Sequence, residues 1–260
     1  MGKFLFAFAF IFSCISSVGM SQNQVMQTGE YLKYEVSFLG VKLGSIETFV
    51  DGSENFEGKS VWNTRSVIKT YQSIPFVSID ATFRSLIDRS VTFSHDFMSN
   101  INDGNNPPDI LHTMFDYEKK QIRLDKFKGD KLIEQIKFDT DKKWNDGGSL
   151  FFVARRLLTL KKTVRIPTII DQNQSQTIIN FHNKKENITT KSIGYPVKTI
   201  FIDGVADWEG LYGLKGKFEA WFCDDISGIP IKAKMNVYVG SVDIELVEWK
   251  RKGWEPPKAK

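Results

Sequence analysis

Four carboxylates in the C-terminal third are the first candidates for chemistry. Asp207 and Glu209 flank Trp208 in "DWEG", and Asp224 and Asp225 end the aromatic run "FEAWFCDD". A glycosidase needs only two carboxyl groups facing each other across a cleft, and Trp208, Tyr212 and Trp221 are faces on which a sugar would stack. The competing reading is turn chemistry, because an Asp ahead of "ISGIP" bonds the amides that follow it. The turn is the stronger expectation, and no catalytic residue is assigned. Other reaction classes lack their parts. His95, His112 and His182 form no HExxH or His-x-His pair, and Cys14 and Cys223 form no CxxC, so neither a metal site nor a cofactor is expected. "GGSLFF" places Ser149 after a glycine pair but lacks the closing glycine of a nucleophile elbow. "GVKLGS" lacks the Gly-Lys-Ser/Thr ending of a phosphate loop and runs into "IETFV", a strand, so Gly40 and Gly44 read as bounding a hairpin link.

Binding is the alternative to catalysis. In "KFEAWFCDD", Phe218, Ala220 and Phe222 fall on one face of a strand while Trp221 and Cys223 fall on the other. Both faces are apolar, so the strand is covered twice. One cover is the core; the other is either the apolar stretch "LFFVARRLL" or an apolar ligand. Trp221, Cys223, Phe151 and Phe152 are therefore the candidate ligand-binding residues.

The elements that would position these groups are mostly strands. Leu32, Tyr34, Val36 and Phe38 share one face, with Lys33, Glu35 and Ser37 on the other. The same alternation recurs about a dozen times at short spacing, with turn signals such as "NDGNNPPD" between. One stretch breaks the pattern. "GGSLFFVARRLLTL" follows a glycine pair, offers Ser149 as an N-cap and ends in Arg155 and Arg156, which complement a helix dipole. The expected architecture is a large antiparallel curved sheet or open barrel with one short helix at about Ser149–Leu158. No composition shift divides residues 22–250, which read as a single domain.

The chain's ends bear on location. Lys3, an apolar run from Phe4 to Phe12 and small residues up to Ser21 give residues 1–21 the layout of a secretory signal peptide. "IFSC" at Ile11–Cys14 offers a lipoprotein anchor as the lesser alternative. Loss of Cys14 with the leader would leave Cys223 without a disulfide partner, as a buried thiol. Residues 251–260 read as a basic, Pro-containing, solvated tail. A net charge of +4, with charges interspersed, excludes nucleic acid as a partner and leaves at most peripheral membrane contact.

"GEYLKYEVSFLGVKLGSIET", "IDATFRSLID", "GGSLFFVARRL" and "GKFEAWFCDDISGIPIKAKMNVYVGSVDIEL" together resemble the bacterial exported family called domain of unknown function 3108. The resemblance implies export in a Gram-negative bacterium and a mainly antiparallel β fold. It transfers no catalytic residue. The expectation is thus a periplasmic envelope protein that binds a lipid or other apolar molecule on the concave face of a sheet. The alternatives are a non-enzymatic scaffold docking on envelope proteins through sheet edges and, behind both, a glycan-acting enzyme.

Overall fold

The computed structural model describes residues 25–74, 78–104, 106–209, 215–237 and 240–259. The expected signal peptide, Cys14 and Tyr212 lie outside them.

Alternation of apolar and polar residues produces what the pleat demands. In β1 (Tyr31–Phe38), Leu32 and Tyr34 are buried while their neighbours are half-buried. The turn to β2 (Val41–Phe56) is Leu39–Gly40, with φ of 49° and 82°. Positive φ at both central residues makes a tight hairpin whose twist matches the strands. The link is therefore two residues, shorter than the Gly40–Gly44 span expected. Gly44 lies within β2 instead, and a Cβ there would sit 2.2 Å from the Lys69 carbonyl oxygen.

The meander continues through β3 (Lys59–Thr70), β4 (Asp80–Asp88), β5 (Ser94–Asn102), β6 (Asp109–Asp116), β7 (Gln121–Lys128) and β8 (Lys131–Asp139). Helix α1 (Gly147–Leu157) follows, then β9 (Thr163–Ile170), β10 (Asn173–Ile188), β11 (Val197–Glu209), β12 (Lys215–Cys223), β13 (Pro230–Asn236) and β14 (Ser241–Lys250). Pairing of β1 with β14 joins the two meanders into one 14-stranded antiparallel sheet, ordered β8-β7-β6-β5-β4-β3-β2-β1-β14-β13-β12-β11-β10-β9. The sheet is not closed: β8 and β9 are its edges. β10 merges two stretches that the sequence separates, because an irregularity between Phe181 and Lys184, with Asn183 at φ 53°, lets pairing resume beyond "FHN".

α1 starts two residues earlier than expected, and its N-cap is Asp146, not Ser149. The Asp146 side chain accepts from the Ser149 amide at 2.8 Å, which satisfies one of the donors a helix start leaves orphaned. The helix inserts Leu150, Val153, Ala154 and Leu158 against Ile166, Ile179, Phe181, Ile202, Ala220 and Phe222 of β9–β12. The last residues also depart from expectation. The chain after β14 is tied down rather than solvated: the Lys198 amide donates to Pro257 O, the Ala259 amide to Pro196 O, and Tyr195 Oη to Pro256 O, at 2.8, 2.8 and 3.0 Å. Prolines halt the sheet, but their carbonyls still accept, so the tail docks beside the start of β11.

Candidate functional site

The concave face where an apolar ligand was expected carries α1. Phe152 is 1 % and Val153 2 % exposed there, so helix side chains already supply the second apolar cover. Of the four candidate ligand residues, Phe151 and Cys223 share a cluster with Leu32, Tyr34, Ile229, Ile231 and Leu246. Phe152 packs in the next cluster, with Val50, Trp62 and Ile87, and its ring meets Phe151 edge-on at 5.0 Å. Trp221 is not brought to either. It is half-buried beside Phe201, at 5.4 Å between rings, and donates its Nε1 hydrogen to Glu186 at 2.6 Å. Cys223 is fully buried, and burial pushes its thiol far above the usual range, so it is unreactive in the folded chain.

The carboxylates do not assemble across a cleft. Asp207 and Glu209 are exposed near the end of β11. Asp224 pairs with Lys185 Nζ at 2.7 Å. Asp225 does the turn chemistry expected of it: Oδ1 accepts from the Ser227 amide and hydroxyl at 2.9 and 2.6 Å, while Oδ2 accepts from Trp254 Nε1 at 2.7 Å. Each histidine contacts its own aspartate: His95 with Asp88, His112 with Asp96, His182 with Asp203. No group of three His, Cys, Asp or Glu suited to a metal occurs among the described residues.

Two polar centres went unread in the sequence. Arg155, in the last turn of α1, points inward instead of into solvent. Its guanidinium donates to Glu30 Oε1 and Oε2 at 2.6 and 2.9 Å, to Val25 O at 2.8 Å and to Ser227 O at 3.0 Å. Arg251 closes on the same Glu30 carboxylate. The Arg155 and Glu30 side chains are 0 % and 1 % exposed, so this charged cluster lies within the core. The second centre is Asp146, whose carboxylate also accepts from Ser85 Oγ at 2.7 Å and Ser94 Oγ at 2.6 Å. Burial pushes its carboxyl above the usual range against the effect of those donors. Asp146 thereby fixes α1 to β4 and β5. The spacing Asp146-x-x-Ser149 was a readable capping signal; nothing local pairs Arg155 with Glu30, 125 residues away.

One sheet edge is accessible. Among the described residues β8 pairs only with β7, and Leu132 and Ile133 on it are 49 % and 57 % exposed. The opposite edge is partly covered. The Asn145 amide donates to Pro167 O at 2.9 Å, and the Ile169 amide to Asn145 O at 2.8 Å, so the segment leading into α1 occupies part of β9. No helix of the described residues is long and apolar enough to cross a membrane.

Comparison with known proteins agrees with this architecture. The crystal structure of a beta-barrel-like protein of domain of unknown function DUF1849 from Brucella abortus superposes with a TM-score of 0.54 at 12 % identity, covering 86 % of this chain and 97 % of that one. At that identity the likeness is one of fold. No curated protein matches. A family model described as protein of unknown function (DUF3108) matches residues 33–247, which span β1 to β14, and the chain belongs to that family.

Proposed function

We propose that the protein is an exported, non-enzymatic assembly module of the cell envelope that holds a partner by strand addition to β8. The observation that carries the reading is the unpaired β8 edge with Leu132 and Ile133 exposed on it. An unpaired edge offers a row of main-chain donors and acceptors, and an extended segment of a partner satisfies them while its side chains meet the apolar ones. Lys131, Glu134 and Lys137 blunt the edge against indiscriminate pairing. The choice over lipid carriage rests on α1, since a lipid on the concave face would have to displace Phe152 and Val153.

A photo-crosslinking residue at Leu132 tests this in envelope extract. The reading expects one saturable adduct that maps to an extended stretch of an envelope protein and is lost in Ile133→Asp. Adducts unaffected by Ile133→Asp, or absent, contradict it. Lipid copurifying at one equivalent from native membranes would instead restore carriage as the leading reading.

A further inference from the structure

A second feature of the chain lies away from the β8 edge's Leu132 and Ile133. A cavity of about 370 Å³ lies where the β2–β3 turn hangs over β6, β7 and β8. That turn, Glu57–Gly58, has φ of 50° and 78°, and Lys59 Nζ pairs with Glu118 at 2.9 Å, which pins the hairpin tip to the β6–β7 turn. The volume falls at the small end of the roughly 300–1,000 Å³ typical of small-molecule sites. Its lining has an apolar part with Phe56 and Phe115, a cationic part, Lys119, Arg123 and Lys137, and two carboxylates, Glu57 and Asp116, the second of which is taken up by Lys119.

The cationic part is the unusual one. Register pairs Met114 with Arg123 and Arg123 with Lys137, so these side chains form one row across three strands. Arg123 and Lys137 are like charges directly opposite each other, an arrangement that costs stability unless an anion lies between them. Arg123 is only partly compensated. Its Nε lies 3.2 Å from Asp125, but its Nη2 donates to the Met114 sulfur at 2.9 Å, a weak acceptor. Lys137 makes no ion pair among the described residues, whereas Lys119 is held by Asp116 at 2.9 Å. The open donors therefore converge from Arg123 and Lys137 beside an apolar wall.

We infer that this cavity binds a phosphate group carried on a small apolar body, with Arg123 and Lys137 as the anion clamp and Phe56 and Phe115 against the body. A planar guanidinium fork and an ammonium point charge together suit a phosphate's several oxygens. The same chemistry is presented by a soluble phosphomonoester and by an anionic lipid headgroup.

Isothermal titration of the mature chain with phenyl phosphate, and separately with phosphatidylcholine vesicles containing or lacking phosphatidylglycerol, distinguishes the sources. The expected result is saturable binding that weakens about 10- to 100-fold in Arg123→Gln and in Lys137→Gln, the range for losing one charged hydrogen bond. All three side chains involved are exposed, so the variants fold. Lys131→Gln, on the same strand but outside the cavity, should bind as the parent does. Binding only to phosphatidylglycerol vesicles, abolished by Arg123→Gln, assigns the headgroup as the source and supports the clamp. No saturable binding to any probe overturns the inference, as does an equal loss in Lys131→Gln.

Discussion

Glu30→Gln is the most informative single change. The substitution keeps the side chain's shape and removes the one negative charge between Arg155 and Arg251, whose side chains are 0 % and 8 % exposed. Two guanidinium groups then face a neutral amide where they shared a carboxylate. Breaking a buried charge pair from one side costs about 3–5 kcal/mol, because the remaining charge stays desolvated. Against a domain stability of about 5–15 kcal/mol that is a large fraction. For a chain of this size it corresponds to a fall in Tm of about 6–20 °C. Urea unfolding followed by circular dichroism, with Tm by calorimetry, reads both quantities. Arg155→Met should couple to Glu30→Gln, the double variant costing less than the sum of the singles by about 0.5–3 kcal/mol. A loss for Glu30→Gln below about 1 kcal/mol, the level of an exposed ion pair, would refute the assignment of this cluster to the core.

Three further outcomes follow from other parts of the fold. Burial raises the Asp146 carboxyl above its unfolded value, so its contribution is fully present below the ordinary carboxylate range and is lost as pH rises through the raised folded value; urea midpoints of the parent should therefore decline relative to Asp146→Asn across that window, and parallel curves would contradict it. Cys223, the thiol left after the expected cleavage, should stay unlabelled by a disulfide reagent until the chain is unfolded in urea; labelling at the rate of a free thiol would contradict its burial. Removing residues 256–260 deletes three hydrogen bonds to Pro196, Lys198 and Tyr195, at about 0.5–1.5 kcal/mol each; an unchanged urea midpoint would mean the tail is not docked.

Local pattern made the strands and the helix legible. Period-two alternation placed β1, and the glycine pair with Arg155 and Arg156 placed α1, because each depends on residues within one or two turns of chain. What escaped reading depends on long-range pairing. By sequence Arg155 complements the helix dipole; its partner Glu30 precedes β1 and is brought to it only when the meanders join through β1 and β14. The tail looked solvated from its lysines and prolines, yet its main-chain carbonyls, invisible to composition, hold it to β11. The candidate ligand residues split for a similar reason. Trp221 lies opposite Phe201 and bonds Glu186, whereas Cys223, two residues further on at the end of β12, packs into the cluster around Leu32 and Tyr34. Strand order was also unreadable, so nothing in "KLIEQIKFD" marked it as an edge rather than another interior strand.

A β8 edge without a neighbour among the described residues is the feature on which the proposed assembly role depends, and amide hydrogen exchange of the isolated chain measures it directly. The outward-pointing amides of Lys131–Asp139 should exchange orders of magnitude faster than those of Tyr31–Phe38, which pair on both sides. Protection of β8 as strong and as uniform as that of β1 would mean that its edge is already occupied, which would contradict strand addition there.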